Sequence, residues 1–248
     1  MIRGLYAAAS GMVAQMAQQD ILANNLANVN TSGFRRQQPV VGAFTDILRL
    51  SGEEWGPLVP DGAVVPGAGV VEAVTDFSEG LTHETGNPLD LAISGEGFFV
   101  VKGSDGVERY TRDGHFTLNA AGELVTLTGE QVQGTGGAIT VQAGQRLTVG
   151  RDGTVTAAGG GQALGQLRIV TLSAPDTVVR ADGSRFEGTV ADADTAKFTV
   201  RQGFVEESNV SAITEMTSMM RALRLYEASA RAVQYQDKSL DTLISIVS

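Results

Sequence analysis

The chain contains no cysteine, which excludes disulfides, thiolate metal sites and cysteine nucleophiles. Histidine is nearly as scarce. His83 and His115 are the only two, and they do not stand at a ligand-like spacing, so a metal would have to recruit carboxylates. Positive charge is short as well. The 18 Lys and Arg against 28 Asp and Glu leave a net charge of −10, the opposite of the basic footprint that nucleic-acid binding requires. No run approaches the ~18 apolar residues of a membrane span. The opening MIRGLYAAASG has an early Arg and an Ala-rich end. Its apolar stretch is too short for the core of a signal peptide, and it reads as mature sequence.

Motifs that carry catalysis are missing too. Ser94-Gly95-Glu96-Gly97 lacks the preceding Gly of a nucleophile elbow. Gly159-Gly160-Gly161 lacks the Lys and Ser/Thr of a phosphate loop. No catalytic, cofactor or metal site is expected. The acidic pairs Glu53-Glu54 and Glu206-Glu207 read as solvated charges, and Arg35-Arg36 as an exposed helix exit.

What the chain does have is periodicity. A hydrophobic fraction of 42% with 19% charged residues is that of a folded protein, and 31 glycines against 6 prolines point to many tight turns. Leu5, Ala9, Met12, Met16, Gln19, Ala23 and Leu26 form a heptad seam with one polar member, and Asp20 is the only charge between Gly4 and Phe34. A helix with so little charge meets protein on several sides, in its own domain's core or elsewhere. A second seam runs through Met216, Met219, Leu223, Tyr226, Ala230, Val233, Asp237, Leu240, Ile244 and Val247, broken only by Asp237. Glu206, Glu207, Ser208 and Asn209 precede it and are candidates to cap it. The simplest burial pairs the two helices with each other or with copies in neighbouring subunits.

Between the seams the period changes to two. FFVV, HFTLN, ELVTL and QLRIVTL are short runs, with turn signals at Asp105-Gly106, Asp113-Gly114, Asp152-Gly153 and Asp182-Gly183. The predicted fold class is α+β: a discontinuous helical coiled-coil domain from residues 1–36 and 206–248, and a central, mainly antiparallel β domain over 76–205. Residues 37–75, with four of the six prolines, read as an extended connector.

These segments also carry a resemblance. ANNLANVNTSGF at 23–34 and QGFVEESNVSAITEMTSMMRALRLYEASARAV at 202–233 resemble the paired terminal signatures of flagellar axial proteins. TDFSEGLTHETGNPLDLAISGEGFFVV at 75–101 and YTRDGHFTLNAAGELVTLTGEQVQG at 110–134 are similar to the basal-body rod proteins. RGLYAAASGM, TGNPLDLAI and LGQLRIV look most like the proximal rod subtype, with the distal subtype next. The resemblance implies a structural subunit of the rod, in helical assembly with itself and other rod subunits. It implies terminal helices lining an export channel, type III export without a cleaved signal, and a place in the basal body (the periplasmic space of a two-membrane cell). It implies no cofactor, nucleic acid or membrane span.

The implied subunit-contact residues are Leu5, Met12, Met16, Asn24, Asn25, Leu26, Asn28, Gly33 and Phe34 at one end. At the other they are Ser208, Asn209, Val210, Met216, Met219, Leu223, Tyr226, Val233, Leu240, Ile244 and Val247. Asn24, Asn25, Asn28 and Asn30 suit a crowded interface because an amide is polar without the desolvation cost of an ion. Gly33 suits a chain reversal where the helix ends. Two other classes stay open on the residues alone. One is a secreted β-domain adhesin oligomerised by its helices. The other is a glycosidase, which would need two carboxylates roughly 5–9.5 Å apart in a cleft.

Overall fold

The structure, a computed structural model, describes residues 2–43, 68–142, 145–157, 163–172, 178–194 and 197–247. The fold is α+β, with one long helix at each end and antiparallel strands between. Two units divide the chain. A helical unit takes residues 1–27, 36–76 and 211–248, and a β unit takes 28–35 and 77–210.

The helical unit contains α1 (Ile2–Ala27), β1 (Gln37–Ala43), β2 (Ala68–Thr75) and α2 (Ala212–Val247). Both helices are free of proline and rich in Ala, Met and Leu, which lose little side-chain freedom in a helix. They run antiparallel. A Cβ on Gly11 would lie 3.9 Å from the Ser229 hydroxyl, and Asn25 bonds Glu215, so fourteen steps along α1 match fourteen back along α2. On that register residues 239–247 of α2 run past the first residue of α1.

The residues on the inner faces are mostly small or polar: Gly11, Ala14 and Asn25 on α1, with one bulky member, Leu22, and Glu215, Ala222 and Ser229 on α2. The heptad seams do not face each other. Met16 is 55% exposed, Met216 49% and Leu223 44%. The buried line on α2 stands one residue before the predicted one, a turn of about 100° around the helix. Close backbone approach at glycine and alanine, and the polar bonds at Asn25, set the register in place of the bulky side chains.

Residues 37–75 differ from the expected connector. β1 and β2 pair antiparallel from Gln37↔Thr75 to Ala43↔Ala68, with a bulge between Val40 and Val41. Pro39 is tolerated because a two-stranded ribbon consists of edges. Residues 44–67, including Glu53 and Glu54, lie outside those described.

The β unit holds β3 (Thr82–Glu84), β4 (Leu91–Gly95), β5 (Phe98–Lys102), β6 (Glu108–Thr111), β7 (Phe116–Leu118) and β8 (Leu124–Thr126). Next come β9 (Gln131–Gly134), β10 (Gly137–Ala138), β11 (Leu147–Val149), β12 (Thr154–Ala157), β13 (Ala163–Gln166) and β14 (Ile169–Leu172). β15 (Val179–Asp182), β16 (Arg185–Glu187), β17 (Val190–Asp192), β18 (Phe198–Gln202) and β19 (Phe204–Glu206) complete it. The main path runs β15-β16-β6-β5-β9-β8-β7, with β14 joining β5 to β17. Smaller sheets are β11-β12-β13, β18-β4 and β19-β3. The edge of β11 is closed by a side chain: Gln202 accepts from the Val149 N–H and donates to the Leu147 carbonyl, which blunts an edge open to foreign strands.

Alternation along these strands fills two cores. The larger packs Leu91, Ile93, Phe99, Phe116, Val155 and Ile169 among others. The smaller joins Phe98, Val100, Tyr110, Val170 and Phe186, with Phe77 against it. Three of the Asp-Gly signals are tight hairpin turns with a left-handed glycine: Gly106, Gly153 and Gly183. Gly114 has no positive φ and serves differently. Its carbonyl accepts from the Leu91 N–H, and a Cβ there would stand 1.6 Å from the Leu91 carbonyl oxygen. Gly114→Ala therefore forces β4 away from its bond, and a loss of about 3 kcal/mol is expected. Gly106→Ala meets no atom and costs only its backbone strain, about 1 kcal/mol. Urea unfolding of the two variants checks the difference.

Candidate subunit-contact site

The asparagine-rich exit of α1 is built around one residue. Asn25 is fully buried. Its amide oxygen accepts from the Gln37 N–H at 2.9 Å, and its nitrogen donates to the Gln37 carbonyl at 2.7 Å and to Glu215 Oε2 at 3.2 Å. An amide is the one side chain that can match both groups of a peptide and a carboxylate together. Arg36 Nε donates to the other oxygen of Glu215 at 2.6 Å. The Glu215 side chain is 0% exposed, so a single buried carboxylate ties α1, β1 and α2 within the helical unit.

Beyond Ala27 the chain enters the β unit. Thr31 donates its N–H to the Asn28 carbonyl and its hydroxyl to Asn28 Oδ1, closing a tight turn. Gly33 follows at φ 67° and donates its N–H to the Glu206 carbonyl. A Cβ there would meet Asp113 N at 2.3 Å, so both the conformation and the space require glycine. Phe34 and Arg35 are wholly buried. Arg35 Nη1 meets Glu206 Oε1 at 2.6 Å, and Arg112 Nη1 meets Glu206 Oε2 at 3.1 Å. Arg112 also donates to the Ile93 and Gly95 carbonyls. Burial pulls its pKa below the usual arginine value, against the opposing charge of Glu206. Arg180 caps the segment. Its guanidinium lies 4.4 Å from the Phe34 ring centre and 5.3 Å from that of Phe186, and it donates to the Arg35 carbonyl. Burial pushes its pKa down to about 10, so at neutral pH it remains the cation that stacks on aromatic faces.

The C-terminal signature enters the same two networks. Asn209 donates its N–H to the Phe34 carbonyl and its side chain to Ser78, and the Ser208 hydroxyl accepts from the Val210 N–H. Neither caps α2, which begins at Ala212. They hold a turn of the β unit instead, because that helix starts beyond the reach of an N-cap at either residue.

The predicted contact residues thus divide. Asn25, Gly33, Phe34 and Val210 are buried within one chain, where each holds the fold of its own subunit. Met16, Asn24, Met216 and Leu223 are exposed, and Met12, Leu26, Asn28, Ser208, Asn209, Met219, Tyr226 and Val233 are half-buried. Leu5, Leu240, Ile244 and Val247 lie in the helices, but their side chains are outside those described. Exposed Val13 extends the Met16 face of α1, and exposed Ile213 and Met220 join Met216 and Leu223 on α2. The turn from Ile213 through Met216 and Met220 to Leu223 is a helical stripe of bulky apolar groups.

The charged residues are the larger correction. The sequence reads Arg35, Arg36 and Glu206 as exposed, whereas the structure buries Arg35, Glu206, Glu215 and Arg112 and covers most of Arg36. Side-chain type favours exposure for Arg and Glu, and nothing in a linear pattern reveals partners about 170 residues away. Of the two described acidic residues read as solvated, Glu206 is buried and Glu207 is exposed.

Two outcomes follow from these networks. Asn25→Asp removes both donors and sets a second carboxylate against Glu215, so a loss of about 3–5 kcal/mol is expected. Asn24→Asp, on the exposed side, stays within about 0.5 kcal/mol; thermal melts of the pair measure the contrast. Removing residues 211–248 leaves the β unit with its Glu206 and a cooperative melt. Removing 206–248 strands Arg35 and Arg112 without their carboxylate and costs the β unit about 3–5 kcal/mol more.

Three family models match in chain order. They are the flagella basal body rod protein at residues 5–35, the flagellar hook protein FlgE/F/G D1 domain at 92–157, and the flagellar basal body rod FlgEFG protein C-terminal at 201–246. The flagellar basal-body rod protein FlgG of Agrobacterium fabrum is 35% identical over 269 residues, covering 100% of this chain and 98% of the relative. FlgG of Bacillus subtilis is 31% identical, covering 99% of each. FlgF of Salmonella typhimurium is 32% identical, covering 96% of each. With full-length likeness at this level, and with the matched terminal segments meeting in two buried ion networks, the chain belongs to the flagellar basal-body rod protein family.

Proposed function

We propose that this chain is a non-catalytic structural subunit of the flagellar rod, which polymerises helically with copies of itself and with other rod proteins. In that role it transmits torque and lines the export channel, leaves the cell through the flagellar type III apparatus without a cleaved signal peptide, and lies in the periplasmic part of the basal body. One observation carries the reading. The helical unit turns Gly11, Ala14, Leu22 and Ala222 inward but leaves Ile213, Met216, Met220 and Leu223 of α2 outside. A lone helix pair would bury its largest apolar groups first, since each is worth about 1.5–3 kcal/mol. Leaving them out suits a chain whose further burial comes from neighbours, with Met12, Met16, Met219, Tyr226, Val233, Leu240, Ile244 and Val247 as the other contact residues.

The opening RGLYAAASGM and LGQLRIV favour the proximal rod position, that of FlgF. The 35% identity to an FlgG over the whole chain favours the distal position as a second reading. Immunogold labelling of purified basal bodies separates them, by the distance of the label from the hook.

Leu223→Asp places a carboxylate on the stripe, and its burial against a neighbour costs several kcal/mol. Loss of motility in complemented cells is expected, with the purified variant melting like the parent. Arg221→Glu, on the exposed side, should leave swimming intact. Equal motility of the two variants would count against the stripe as a contact.

A further inference from the structure

Each helix of the helical unit presents a different surface on the side away from its partner. At about 100° per residue, Gly11, Ala14, Leu22 and Asn25 share the inner side of α1. Ala9, Val13, Met16, Asp20, Ala23 and Ala27 lie half a turn around, and every one is exposed. This outer line is narrow and apolar, with Asp20 as its single charge. On α2 the inner side carries Glu215, Ala222 and Ser229. Half a turn around from them stand Ile213, Met220 and Arg224, all exposed, and Met216 and Leu223 border that line. The two outer lines therefore occupy opposite sides of the helix pair, one holding an acid and the other a base. Among the described residues no ion pair includes Asp20 or Arg224. Glu227, the next acid along α2 from Arg224, bonds Arg231 at 3.2 Å.

We infer that the outer line of α1 in one copy packs against the outer line of α2 in the next, with Asp20 paired to Arg224. This rests on the reading of the chain as a polymerising subunit, and names the partner of its exposed stripe. A lone carboxylate is tolerated while water surrounds it, but once a neighbour covers the line an unpaired one is costly. The surface that covers Asp20 must therefore bring a cation. The outer line of α2 brings Arg224, and sets Ile213 and Met220 against the small and apolar groups beside Asp20. Copies related by a rotation about an axis along the helices keep each helix's direction, so this contact is antiparallel, like the one within the chain. At the register the chain uses internally, Asp20 stands level with Met220 and one turn from Arg224. Long side chains lean toward the helix N-terminus, which brings the Arg224 guanidinium back toward that level. Two different lines meeting between identical copies make a heterologous contact. Because they stand on opposite sides of the pair, the contact repeats from copy to copy as a wall of alternating α1 and α2.

Charge reversal tests the pair. Asp20→Arg sets two cations together and Arg224→Asp sets two carboxylates together, whereas the double reversal restores one of each. All three are expressed as the full chain in cells lacking the parent, and the chain retained in purified basal bodies is measured by immunoblot. Incorporation of each single variant is expected to fall about tenfold, and that of the double variant to recover toward the parent. Single variants incorporated like the parent, or a double variant no better incorporated than the single ones, overturn the pairing while leaving the proposed function standing. Absence of the parent chain from basal bodies overturns both. Thermal melts of the purified variants should match the parent, since both side chains are exposed in one copy; single variants that lose incorporation only by unfolding also overturn the pairing.

Discussion

The architecture depends on two buried carboxylates that each capture an arginine from the end of the first signature. Arg35 and Arg36 are neighbours in sequence, yet Arg35 bonds Glu206 in the β unit and Arg36 bonds Glu215 in the helical unit. Burying a lone charge costs many kcal/mol, and a buried pair recovers that cost only when its geometry is good. Each unit is therefore complete only when a segment from the start of the chain and a segment from its end are both present. That requirement joins the two ends across about 170 residues of intervening β structure.

Around those anchors the remaining choices are steric. Gly33 accepts a left-handed backbone against Arg112 and Asp113, Gly114 lets Leu91 reach its carbonyl, and Gly11 faces Ser229 across the helix pair. Apart from Leu22, small residues do the internal packing of the helices, and Val13, Met16, Ile213, Met216, Met220 and Leu223 remain outside, unlike a self-sufficient helical hairpin. Ordering a residue costs about 1–2 kcal/mol of backbone entropy, a cost that helices this long must offset by burial along their whole length. On the proposed reading, the bulky apolar groups that one fold leaves exposed are what neighbouring subunits cover.

Much of this was legible in the chain. The heptads announced both helices, the period of two announced the strands, and Asp105-Gly106, Asp152-Gly153 and Asp182-Gly183 announced hairpins, because helix, strand and turn are governed by residues within a few positions of one another. Proline and glycine made 37–75 look like a connector, although Val40, Val41 and Val74 help form a ribbon there. The terminal signatures carried the family. Tertiary structure alone decided which helical face turns inward, since Met216 and Glu215 differ by one position and local pattern cannot choose between a stripe for its own partner and a stripe for another subunit. It alone revealed that Asn25, Arg35 and Glu206 are buried. A polar side chain reads as exposed until its partner is known, and hydrogen bonds and ion pairs between distant segments exist only once the chain has folded.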